Sequence, residues 1–257
     1  MQMFSIRVIL FFLLSIAMQV QAEDCAQLLL RGDNFYIRLE TEEALRCYRQ
    51  AYELSPNQSA ILIRLVRAYG DLGWLHLRRD TSSESCYLHA VAFAESLLQL
   101  EPTKADAHFW FAMAKGSLIP FRGTSEKISI GKEVRIHAER AIELDSTYSY
   151  AYIILAIFER ERAKLSWFER TIARIVFGED VNGSLLLSEE YLSKALKCDR
   201  NSSYAYYELS RTYDAMGRKG DAVESLKRVL AMPVNSQREE RQRQHAEKSL
   251  AHLQSVE

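Results

Sequence analysis

The feature that most constrains this chain is a spacing that occurs twice. Leu28, Gly32, Phe35, Ala44, Tyr48, Ala51 and Pro56 lie 4, 3, 9, 4, 3 and 5 residues apart, and Tyr206, Ser210, Tyr213, Ala222, Leu226 and Val229 repeat the first five of those steps. Steps of three and four keep side chains on one face of a helix, while the step of nine carries the chain from one helix to the next. Alanine falls where two helix backbones approach closely. A helix pair of this size cannot bury its apolar face alone, so recurring pairs must stack. The 10 glycines and 4 prolines in 257 residues leave few breaks, and strand-like alternation is absent. The chain is therefore expected to be all-α.

The spacing is that of the tetratricopeptide repeat. Between the two clean copies, three further second helices end at Pro102, Asp145 and Asp199: His89-Ala90 to Pro102, His137-Ala138 to Asp145, and Tyr191 to Asp199. New first helices begin near Ala60, Asp106, Tyr150 and Tyr204, which gives an α-solenoid of five helix pairs. The second, third and fourth pairs exceed the 34-residue unit by roughly 12, 10 and 20 residues. Stacked along one edge, these insertions are expected to form a wall beside the concave face; the alternative is that they only lengthen helices. Ser236-Gln-Arg-Glu239 is a capping box, and the charged helix after it, from Gln237 to Leu253, suits a terminal cap.

The amino-terminal stretch carries Arg7 and the apolar run from Val8 to Val20, followed by Gln21-Ala22. That run is short for a membrane span, and small residues two apart suit signal-peptidase cleavage. The expected division is a signal peptide over 1–22 and a single repeat domain over 23–257, exported to the periplasm or outside the cell. An uncleaved anchor is the alternative. Lipid attachment at Cys25 is disfavoured because Ala22-Glu23-Asp24 lacks the small apolar residues it needs. Cys25, Cys47, Cys86 and Cys198 permit disulfides without specifying a pairing, and small buried apolar side chains are the preferred reading.

In the middle of the chain, Trp110-Phe-Ala-Met-Ala-Lys-Gly116, Lys127-Ile to Val134, His137-Ala-Glu-Arg-Ala-Ile-Glu-Leu-Asp145 and, within an insertion, Leu165-Ser-Trp167-Phe-Glu-Arg170 leading to Phe177-Gly178 resemble the regulator of microtubule dynamics protein family. The resemblance covers nearly all of the chain after residue 22. It implies a helical adaptor without enzymatic activity, with some members membrane-associated or lipid-handling. An exported chain does not meet cytoplasmic microtubules, so the resemblance does not carry that function over. A second resemblance is to periplasmic tetratricopeptide proteins that accompany solute transporters.

No phosphate loop, His-Glu-x-x-His or Gly-x-Ser-x-Gly is present. His76, His89, His108, His137, His245 and His252 show no metal-ligand spacing, so no catalytic residue, metal or cofactor is assigned. A net charge of -1 lacks the basic footprint that nucleic acid requires. Asn57, Asn182 and Asn201 open glycosylation sequons and also suit turns. From Glu159 to Phe177, an apolar stripe of Leu165, Phe168, Ile172 and Ile175 lies among Arg160, Arg162, Lys164, Arg170 and Arg174. Packing of that stripe on a neighbouring helix is expected, with peripheral membrane contact as the alternative.

Solenoids of this type bind along the concave face of their first helices. Here that face is read as Ile63, Arg67, Phe109, Met113, Tyr150, Ile153, Ile157, Arg160, Tyr204, Tyr207 and Arg211. It lacks the Lys and Asn lining that clamps a peptide carboxylate. The leading expectation is a non-enzymatic binding scaffold of the cell envelope whose groove holds an apolar or amphipathic segment, whether a lipid, a small apolar molecule or a partner helix. The alternative is an assembly adaptor of an envelope or transporter-associated complex with no pocket.

Overall fold

Several turns of the chain fall where the sequence offers its own hydrogen-bond acceptor, while others use a left-handed residue, Leu39 or Gly217. Asp145 and Asp199 accept the backbone amides of Thr147 and Asn201 at 2.9 and 3.0 Å. Ser184 and Ser202 cap the next helices by accepting from Leu187 N at 3.1 Å and Ala205 N at 3.2 Å. The computed structural model describes residues 23–75, 81–177 and 182–255. Twelve helices and no strand occur among them. They are α1 (23–37), α2 (Thr41–Leu54), α3 (Ser59–Leu75), α4 (Thr81–Leu100), α5 (Ala105–Ser117), α6 (Thr124–Leu144), α7 (Ser149–Ala163), α8 (Trp167–Phe177), α9 (Leu185–Cys198), α10 (Ser203–Ala215), α11 (Lys219–Leu230) and α12 (Gln237–Ser255).

The repeat register is visible directly in the packing. Ala44, Ala51, Ala138, Ala141, Ala195 and Ala222 are all 0 % exposed, each at a seam between helices where a larger side chain has no room. A β-carbon added to Gly32 would lie 2.5 Å from the ring of fully buried Tyr48, so the first pair depends on glycine there for its close approach. The pairs are α1 with α2, α3 with α4, α5 with α6, α7 with α9, and α10 with α11.

The insertions divide in two. In the second and third pairs most of the extra length goes into longer helices, 17 and 20 residues in α3 and α4 and 21 in α6, together with a 3-10 turn at Ile119–Phe121. Arg122, after that turn, pairs with Glu84 at the start of α4 and with Glu126 of α6, tying the two insertions along one edge. The fourth insertion adds a separate helix, α8, which packs on α6. Contrary to the expectation that its apolar stripe is covered by a neighbour, Phe168 is 58 % and Ile175 77 % exposed. Leu165 is half-buried, and the side chain of Ile172 lies outside the described residues.

The terminal helix does more than cap. Ala246 and Leu253 bury against Ala222, Leu226 and Val229 of α11, as a cap should. Half of the box forms, with Glu239 N donating to Ser236 Oγ at 3.2 Å, while the Glu239 carboxylate accepts from Asn235 N, one residue before the cap, at 2.7 Å. The helix also reaches back to α3 of the second pair. All four cysteines are free thiols, with Cys25 and Cys47 buried as small apolar side chains. No described helix is long and apolar enough to cross a membrane, and residues 1–22 and His76 lie outside the described residues.

Because the seams leave no space, Ala44→Leu, Ala51→Leu, Ala195→Leu or Ala222→Leu should each overpack its pair and cost about 1–3 kcal/mol. Chemical denaturation reads this directly; unchanged midpoints in all four would contradict the register.

Candidate protein-binding groove

First helices of neighbouring pairs touch one another, α3 with α5, α5 with α7 and α7 with α10, and so form one continuous face. The start of α12 lies against it. Asp71 on α3 is an isolated carboxylate among Val66, Ala68, Tyr69 and Leu72, and it is 2 % exposed. A charge so buried is tolerable only when its lone pairs are satisfied. Tyr36 of α1 donates its hydroxyl to Asp71 Oδ2 at 2.6 Å, and Arg238 of α12 places Nε 2.5 Å from Oδ1. Arg238 also points Nη1 at Met113 Sδ of α5, 4.0 Å away, and Gln242 donates to the Ser203 carbonyl of α10 at 3.2 Å. Farther along α12, the His245 ring lies 5.8 Å from that of Trp74 on α3.

The electrostatics follow from this burial. Tyr36 is raised above the usual phenol range by burial and by the adjacent Asp71 carboxylate, so it stays protonated and donates. Burial opposes the charge on Arg238, yet Asp71 outweighs it and holds the guanidinium firmly protonated. Burial raises Tyr204, and it pushes Tyr87 up to about 12. An arginine in the first turn of a helix is disfavoured by the helix dipole, so the Asp71 contact compensates an unfavourable position. At the outer end, the Arg67 guanidinium sits 3.9 Å over the Tyr36 ring, and Asp33 binds Arg64 at 2.6 Å. Burial raises the Asp33 carboxyl, but hydrogen bonds from Arg64 and Tyr48 more than reverse this and leave it below its ordinary range.

The residues singled out from sequence separate into two sets. Arg67, Met113, Tyr150 and Tyr204 border the face that α12 meets: Arg67 stacks on Tyr36, Met113 touches Arg238, and Tyr150 and Tyr204 feel the charges of Glu239 and Arg238. The other set packs into seams. Ile63 joins Leu62, Leu97 and Ala107, while Phe109, 3 % exposed, lies among the rings of Trp110, Tyr148 and Tyr150. Ile153 and Ile157 pack with Leu192, Ala195, Ala205 and Leu209 between α7, α9 and α10, and Tyr207 joins the cluster of α11 and α12. Arg160 is 0 % exposed; it donates to the Glu208 carboxylate at 2.6 Å and to the Glu208 carbonyl at 3.1 Å. Arg211, on the rim, pairs with Glu208 and Glu161. The steps from Ile153 to Ile157 and Arg160 turn away from the groove and follow the α7 face that meets α9 and α10.

Sequence reasoning missed Tyr36, Asp71 and Arg238. A lone carboxylate inside an apolar helix was the available signal for Asp71; Arg238 gave none. Folding also brings His108 and His137 together, Nδ1 to Nδ1 at 2.9 Å, and burial followed by the His108 charge lowers the His137 pKa. No group of three potential metal ligands occurs among the described residues.

A solenoid of stacked helix pairs whose first helices share one face, met there by a terminal helix, defines a tetratricopeptide-type fold, and the comparisons with known proteins agree. The fold matches a tetratricopeptide protein of Thermus thermophilus, TTC0263, at a TM-score of 0.64 with 15% identity, over 88% of this chain and 99% of that one. Pseudomonas aeruginosa pilF matches at 0.52 with 14% identity, over 91% and 90%. The family model for regulator of microtubule dynamics protein 1-3 matches residues 28–254, and the chain belongs to that family. Mouse regulator of microtubule dynamics protein 1 is 24% identical over 82% of this chain and 69% of its own length. Human regulator of microtubule dynamics protein 2 is 23% identical over 83% of this chain and 52% of its own length.

The two sets of residues respond differently to a new carboxylate. Ile153→Glu places it in a sealed seam, at a cost of several kcal/mol, and should unfold the domain. Met113→Glu places it beside Arg238, where it is paired, and should leave the melting temperature close to that of the parent. Circular dichroism melting distinguishes them; equal losses would place Met113 in the core as well.

Proposed function

We propose that this chain is a non-enzymatic binding scaffold of the cell envelope whose concave groove receives an amphipathic helical segment of a partner protein, in the place that its own α12 occupies. The observation that supports this is the contact of Arg238 with buried Asp71, where a helix already lies on the groove and inserts a cation. A lipid tail would leave Asp71 without its second donor, so a helix carrying arginine or lysine fits better than a purely apolar ligand. The groove phenols are held protonated and its carboxylate is fully engaged, an arrangement suited to recognition rather than to proton transfer. Export rests on the apolar run before Glu23 and gives such a scaffold its envelope location.

A labelled peptide covering residues 234–257 provides the test. In the full chain, Arg238→Ala weakens the internal helix, so the peptide should bind this variant. It should bind about tenfold less tightly once Asp71→Asn is added, matching the loss of one charged hydrogen bond. Fluorescence anisotropy reads the affinities. Absence of binding to Arg238→Ala, or equal binding to the double variant, would contradict the reading.

A further inference from the structure

Outside the groove, the most exposed apolar surface with an ordered geometry is α8. Trp167, Thr171 and Ile175 follow one another at four-residue steps on one face, and Phe168 lies seven residues before Ile175 on the same side. Trp167 is 74 % exposed. Thr171 bonds its hydroxyl back to the Trp167 carbonyl at 2.8 Å, which leaves its methyl group to continue the apolar strip. Arg170 and Arg174 run along the edge of this strip next to Trp167. The start of the helix is fixed by its own capping box, in which Glu169 N donates to Ser166 Oγ at 3.3 Å and the Glu169 carboxylate accepts from Ser166 N at 2.9 Å. The helix is thus built to stand with one side on α6 and the opposite side uncovered.

We propose that the uncovered face of α8 docks the repeat domain onto the surface of an anionic lipid bilayer. An 11-residue helix is far too short to cross a bilayer, but it suits lying in the interface, with Trp167, Phe168 and Ile175 among the acyl chains and Arg170 and Arg174 level with the headgroups. Aromatic rings at the end of the helix favour this boundary between water and hydrocarbon. The apolar run from Val8 to Val20 carries the chain across a membrane if it is a cleaved leader and holds it at one if it is an anchor. The site is separate from the groove, so a scaffold docked through α8 keeps its partner-binding face clear of the lipid.

The test uses the full chain with vesicles of phosphatidylcholine containing about 30 mol% phosphatidylserine, with bromine on the acyl chains. The fluorescence lost on changing Trp167→Phe isolates that residue from Trp74 and Trp110. Docking predicts that this component is quenched by the brominated lipid, less so by neutral vesicles. The Phe168→Asp/Ile175→Asp variant should associate about tenfold more weakly, judged from the apolar area it withdraws, and Arg170→Gln/Arg174→Gln should show little response to phosphatidylserine. All four side chains reach the surface, and unchanged melting curves confirm that the variants fold. An unquenched Trp167 component overturns the proposal. So does sedimentation showing that Phe168→Asp/Ile175→Asp turns a dimer into a monomer with vesicle contact unaltered, since the face would then bind a second copy.

Discussion

A carboxylate buried in an apolar helix must find donors or lose its charge, and the way Asp71 does so sets the arrangement of the groove. One donor comes from Tyr36 on the first helix, and the other from Arg238, 167 residues further along the chain. The contact joins the first two pairs to the last helix, so the end of the solenoid is held against its beginning. Removing Arg238 would leave the buried Asp71 charge uncompensated, and removing the Tyr36 hydroxyl would leave one of its oxygens without a donor.

The remainder of the fold is held by a different kind of force. Its seams are closely packed and lined with alanine, and their stability comes from area withdrawn from water and from close packing. Arg160 is a large polar exception, spanning from α7 to α10 with hydrogen bonds to Glu161, Glu208 and Thr212. Apolar seams fix the shape, while the polar contacts at Asp71 choose what lies in the groove. The first turn of α12 is held on that face by the Arg238–Asp71 contact, while the rest of the helix packs on α11.

The pairing of helices was legible from sequence because it depends on local spacing. Gly32, Ala44, Tyr48 and Ala51 lie in register within one pair, and each touches a near neighbour along the chain. The groove was less legible. Tyr150 and Met113 lie near the start of α12, whereas Ile153, Ile157 and Arg160 follow a face of α7 that depends on where α9 and α10 sit, and α9 comes after an insertion whose path no repeat spacing specifies. Asp71 and Arg238 are paired only by the three-dimensional closure of the chain. The apolar stripe of α8 was visible as a pattern, but sequence could not say that α6 would cover only the opposite side. Family membership agrees with the fold, and the chain spans 52% of the length of human regulator of microtubule dynamics protein 2.

The central claim is that the Asp71 carboxylate keeps α12 on the groove. Hydrogen exchange across α12, compared between the parent and Asp71→Asn, tests it most directly, because local opening of a docked helix is read residue by residue. Amides from Gln237 through about Gln244 should exchange roughly tenfold faster in the variant, the effect of losing one charged hydrogen bond, while α5 and α9 stay protected. Unchanged exchange at the start of α12, or an equal increase throughout the solenoid, would contradict the account.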